Sequence, residues 1–170
     1  GLLRRQRQMC IRDRNYSLLK ETKILYQKRK DLSKIQIIEF SILFIALNYT
    51  KIITKRLEEL SNIKFLAEKN HNFKLNIVNL LEQGHDNVSI QSKINSLDQE
   101  ILSEIIENSN IQIIIKNKSD SEISDLLEEL FQDHKEQRNL KKIESLERKL
   151  INNLDENSYS ELIRLKSQLN

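Results

Sequence analysis

From Ile35 to Leu47 the chain reads IQIIEFSILFIAL, interrupted by Gln36 and Glu39 and hydrophobic nearly all round from Phe40 onward. A helix that is apolar on every side is surrounded by others, and this one is too short to cross a bilayer, so the run predicts a central core helix. Asn48 marks its break and cap. Lys51 to Leu60 continues with Ile52, Ile53, Leu57 and Leu60, a spacing that keeps one apolar face. Ile63, Phe65 and Leu66 predict a buried connection. Phe73, Ile77, Leu80 and Leu81 place a helix over about 73–83, with Gly84 where a C′ glycine belongs. Ile90 and Ile94 suggest a short helix, and Ser96-Leu97-Asp98-Gln99 fits a capping box opening another, with Leu97, Ile101, Leu102, Ile105 and Ile106 inward.

Ile111, Ile113, Ile114 and Ile115 form the one strand-like run; an isolated strand cannot complete a ladder, so they read as extended or helical core filler. Ser119-Asp120-Ser121-Glu122 is a second capping box. It starts the longest helical pattern, Ile123, Leu126, Leu127, Leu130 and Phe131, a polar middle from Gln132 to Asn139, then Leu140, Ile143, Leu146, Leu150, Ile151 and Leu154. Continuous to about Asn153, that helix would be roughly 50 Å long at 1.5 Å per residue. A bundle of this size is about 25–30 Å across, so half of the helix must project, leaving the body along the polar stretch. Ser158-Tyr159-Ser160-Glu161 is a third capping box, heading a final helix with Leu162, Leu165 and Leu169; the short connection from Asn152 to Asn157 makes an antiparallel hairpin.

Composition agrees with an all-α protein. The 170 residues include two Gly and no Pro, too little punctuation for hairpin turns or phosphate-cradling loops. One Cys and three His leave no disulfide framework and no structural zinc set. No run of 18 apolar residues offers a membrane span. The formal charge of +3 is unevenly spread: residues 1–14 and 20–34 are both strongly basic, while residues 35–170 carry more acidic than basic side chains. A mildly acidic body gives no compositional case for a nucleic-acid-binding surface there.

Four segments follow. Residues 1–14 use only Arg as a base, unlike the Lys-, Ile- and Asn-rich remainder, and the run from Arg4 to Arg14 resembles translated sequencing-adapter read-through. On that reading the stretch has no biology, Cys10 drops out of consideration, and the chain is the truncated end of a longer protein. Residues 15–33 are a linker or short surface helix, residues 34–118 a helical bundle, and residues 119–170 a long helix with a terminal hairpin.

Catalytic signatures are missing. His71, His85 and His134 have no ligand-type partner at i+3 or i+4 and read as surface histidines; Glu58-Glu59 and Glu128-Glu129 read as solvated charge. Gly-rich phosphate loops and nucleophile elbows do not occur. What stands out is an amphipathic helix ending in an exposed hairpin. Two helices alone bury little, so Leu146, Leu150, Leu154, Leu162, Leu165 and Leu169 cannot all be covered within it, and apolar surface rimmed by charge marks a partner site. The partner-binding candidates are Leu150, Leu154, Tyr159, Leu162, Leu165, Lys166 and Leu169.

Glu39-Phe-Ser-Ile-Leu-Phe-Ile-Ala-Leu-Asn48-Tyr49-Thr50-Lys51 looks like the opening "E-x-x-L-L-x-x-L-x-x-H-P-x-L" run of the C-terminal, helicase-binding domain of bacterial DNA primase of the DnaG type, with Asn48-Tyr49-Thr50 where Asn-His-Pro is common. Leu57 to Phe65 is similar to the segment that follows in that family. Leu140-Lys-Lys-Ile-Glu-Ser-Leu-Glu147, then Glu156 to Lys166, is like its "L-x-x-E-L…E-x-x-x-x-x-L-x-x-L-K" ending. The chain thus resembles this family over about Asn15 to Asn170. The resemblance implies a bundle, long helix and hairpin that dock on the N-terminal domains of the hexameric replicative DNA helicase, in the bacterial cytoplasm, to direct RNA primer synthesis. It implies no active site and no cofactor in this stretch. Zinc and magnesium would belong to upstream domains of the parent nucleotidyltransferase, which alone would contact nucleic acid.

Two other readings compete. In one, residues 119–170 form a homomeric coiled coil or scaffold, against which Gln132 to Asn139 breaks the a/d seam. In the other, the basic segment 20–34 binds nucleic acid.

Overall fold

The computed structural model describes residues 32–95, 98–108, 110–153 and 155–169. Among these the fold is all-α: α1 (Lys34–Asn48), α2 (Thr50–Thr54), α3 (Leu57–Asn62), α4 (Glu68–Glu82), α5 (Asn87–Asn95), α6 (Gln99–Asn108), α7 (Ile111–Ile115), α8 (Asp120–Asn152) and α9 (Glu156–Gln168). No helix among the described residues is long and apolar enough to cross a membrane. The expectations for residues 1–31, and for Ser96 and Leu97 of the first capping box, lie outside the described residues.

Helix α1 is the axis of the bundle. Ser33 caps it through a complete capping box with Gln36. Every residue from Ile37 to Leu43 is buried, which a helix with a solvent face could not achieve. It packs against α2, α4, α5, α6 and α8. The main core draws Phe65 from the connection, Phe73 and Ile77 from α4, Ile90 and Ile94 from α5, Ile101 and Ile105 from α6, and Ile123, Leu127 and Leu130 from α8. The isoleucine run folds as helix α7, burying Ile111, Ile114 and Ile115. Gly84 adopts φ 83°; His85 N–H donates to Leu80 and Gly84 N–H to Leu81, the Schellman pattern that needs glycine at this position.

Three local expectations are corrected. The face from Lys51 to Leu60 is two helices, because α2 packs on α8 while α3 packs on α4, and the chain bends at Lys55-Arg56 to serve both. Leu66, Ile106 and Ile113 are exposed; each lies just off the buried stripe of its segment. The final helix starts at Glu156, not after Ser158: Asp155 is its N-cap, accepting from Asn157 N–H at 3.2 Å and from the Ser158 hydroxyl at 3.3 Å. Asp is at least as good a cap as Ser, and its charge suits the helix N-terminus.

Helix α8, capped by Ser119, has 33 residues, about 50 Å at 1.5 Å each. Its first half belongs to the bundle and its second half runs beyond it. The polar stretch from Gln132 is still docked at its start, since His134 is buried. Among the described residues, the last hydrogen bond from α8 to the body is Arg138 Nη1 to the Lys64 carbonyl, 2.7 Å. Beyond Arg138 about 20 Å of helix projects toward α9.

Candidate functional site

The projecting part of α8 and the antiparallel α9 build a second, separate core. Ile143, Leu162 and Leu165 are buried in the seam, with Leu146 and Leu150 packed against them. Across the seam Lys166 Nζ meets Glu147 at 2.9 Å. The 3, 4 spacing on each helix explains the pairing, because it carries one apolar stripe into the interface.

This placement redistributes the candidate residues. Leu162 and Leu165 are 7% and 3% exposed, so they hold the hairpin closed instead of facing outward. Leu150 is half-buried beside them, Leu154 lies outside the described residues, and Tyr159, Lys166 and Leu169 are exposed. The surplus of apolar surface is real and falls partly on the candidates, with Tyr159 55% and Leu169 39% exposed, and partly on two side chains not among them, Ile151 at 83% and Ile163 at 51%.

Ile151, Tyr159 and Ile163 all lie outside the buried seam. Tyr159, Ile163 and Lys166 follow an i, i+4, i+7 line on α9, and Glu147 and Ile151 an i, i+4 line on α8. The Glu147–Lys166 ion pair brings the two lines to the same edge. About one turn nearer the tip than that pair lie Ile151 on α8 and Ile163 on α9, with Tyr159 a further turn along α9. The result is an uncovered apolar patch at the tip, closed off on the body side by an ion pair.

At the other end of the projecting segment is an anchor that sequence reasoning missed. Glu39, fully buried in α1, accepts from Leu66 N–H at 2.6 Å and Asn70 Nδ2 at 3.4 Å, and lies 3.1 Å from His134 Nε2. His134 is 2% exposed, not a surface histidine, and its ring lies 5.4 Å from that of Phe65. Its signal in the sequence was position: Ile123, Leu127, Leu130 and His134 fall on one 4, 3, 4 stripe.

Lys74, buried on α4, donates to the carbonyls of Ser61 at 3.1 Å and of Ile63. With its ammonium 5.6 Å from the centre of the Phe65 ring, it fastens the end of α3. Burial pushes this lysine down to about 8. His71 accepts Phe65 N–H on Nδ1 at 3.3 Å, which requires the neutral ring. Burial lowers its pKa, and Lys74, Lys64 and Arg138 lower it further. Chemically the cluster is a clamp. Glu39 and His134 are closed to solvent and joined to structural partners, so they fix α8 on the bundle. No group of three or more His, Cys, Asp or Glu side chains among the described residues is placed to hold a metal ion.

Comparison of the chain with protein-family models, with curated proteins and with solved structures finds no match.

Proposed function

We propose that this chain is the protein-docking end of a bacterial DNA primase, holding primer synthesis beside the replicative helicase. The observation that carries the reading is the hairpin: it has a core of its own, separate from that of the bundle, and leaves Ile151, Tyr159 and Ile163 uncovered. Aromatic and aliphatic side chains grouped in this way, with charge around them, have the make-up of an interaction hot spot. The order of elements agrees with the primase resemblance in the leucine patterns.

The mechanism is tethering. Docking the hairpin on the N-terminal domains of the hexameric helicase raises the local concentration of primase at newly unwound template, and no chemistry is required of this segment. The clamp at Glu39 and His134 fixes the base of the projecting helix, so a hairpin bound at its tip also constrains where the bundle sits. Zinc and magnesium, in this reading, serve upstream domains of the same polypeptide. A homomeric coiled coil is less well supported, because the α8 stripe from Ile123 to His134 is already covered by the chain's own bundle.

Sedimentation of the chain with the replicative helicase of the same genome tests the proposal. Co-sedimentation with the hexamer is expected, and independent migration of the two proteins would refute it.

A further inference from the structure

Between the end of α3 and the exposed side of α8 lies an open cleft of about 700 Å³. Lys64 stands on one wall, and Lys135, Arg138 and Lys142 on the other. On α8 these three follow an i, i+3, i+7 line, about 10 Å along the axis. Lys64, Lys135 and Lys142 are exposed and make no ion pair among the described residues. Arg138 uses one donor on the Lys64 carbonyl, 2.7 Å away, and keeps others for a ligand. The acidic side chains in the lining, Glu59 and Glu128, lie toward the opposite end and are both held by Arg56, at 3.4 and 3.2 Å. An otherwise mildly acidic body therefore carries a concave, locally cationic site here; a smaller hollow lined by Lys141, Arg148 and Lys149 beside Glu144 lies further along α8.

We infer that this cleft binds a ligand bearing two or more adjacent phosphates, through Lys64, Lys135, Arg138 and Lys142. A guanidinium fork and flanking ammonium groups match phosphate oxygens, and a 10 Å row of cations suits a run of phosphates better than one ion. The polyphosphate of a nucleotide and the backbone of a single nucleic-acid strand present this same chemistry. The inference does not use the exposed apolar side chains Ile151, Tyr159 and Ile163, which lie further along the hairpin.

The test titrates the isotope-labelled full chain at low salt with inorganic pyrophosphate in one arm and an eight-residue oligothymidylate in the other, followed by nuclear magnetic resonance. Signals of Lys64 and of residues 135–142 should shift in at least one arm. Lys135→Glu combined with Lys142→Glu should weaken that binding at least tenfold with unchanged circular dichroism, and Lys64→Glu on the opposite wall should weaken it too. Four contacts to a single strand predict a salt slope near −3, so oligonucleotide affinity should fall about 50-fold between 50 and 200 mM salt. Shifts with pyrophosphate alone assign the site to polyphosphate, and shifts with the oligonucleotide alone to a strand. No shift at these residues in either arm, or undiminished binding by the charge-reversed variants, would overturn the inference.

Discussion

Glu39 and His134, 95 residues apart in the chain, meet at 3.1 Å with both side chains closed to solvent. One lies on the central helix, the other on the long helix one turn before it leaves the bundle. Because Glu39 also accepts from Leu66 N–H and Asn70, a single carboxylate ties together α1, α4, α8 and the connection between α3 and α4. The projecting helix thus leaves the bundle at a directional polar contact as well as over a greasy face.

Removing one member of that set should be costly. Glu39→Leu strands the Leu66 amide, Asn70 and His134 without their acceptor, and a loss of about 3–5 kcal/mol is expected. Glu39→Leu with His134→Leu should cost less than the two single changes added together. Urea unfolding of the four proteins checks both statements.

The elements of this fold were legible wherever apolar spacing was long and regular, as in α1, α4 and α8. Its joints were not. The break after Asn48 is held from a distance: Asn87 donates to the Asn48 carbonyl at 2.8 Å and accepts Thr50 N–H at 2.9 Å, a tertiary bridge with no local trace. It also gives Thr50 a use for an N–H that proline, common here in the resembled family, would lack. Glu39 was a readable warning, since an acid inside an all-apolar helix must find buried donors. In the hairpin, leftover apolar surface is present, on Tyr159 and Leu169 as expected but not on Leu162 and Leu165. Stripe positions such as Leu162 and Leu165 pair with the opposite helix, and off-stripe Ile151 and Ile163 are left outside.

Lys74 makes stability depend on alkaline pH. Its pKa is about 8 in the folded protein against 10.5 normally, so the unfolded chain binds more protons between these values and stability should rise with pH across that window. Lys74→Met should remove that component of the rise, measured by urea midpoints at pH 7.5 and 10 in both proteins.

His71 acts on the acid side. Its lowered pKa means that stability held above the ordinary value of 6.5 is lost as pH falls through the folded-state value, when protonation of Nδ1 ends the contact from Phe65 N–H. His71→Ala should therefore lose less stability than the natural chain between pH 7 and 5, which thermal melts over that range would detect.

The hairpin should unfold alone. Leu165→Ala removes a buried side chain from a small core, for a local cost of about 2 kcal/mol. Because the two cores are separate, hydrogen exchange should quicken in α9 and the end of α8 while amides of α1 keep their protection.

The most direct measurement is the affinity of the chain for the N-terminal domains of the proposed partner, the replicative helicase of the same genome, set beside that of a Tyr159→Ala, Ile163→Asp double variant. Both substituted side chains are exposed and outside the hairpin seam, so helical content should be retained. The double change is expected to weaken binding at least tenfold. Equal affinity of the two proteins, or no binding by the natural chain, would contradict the assignment of the hairpin tip as the docking surface.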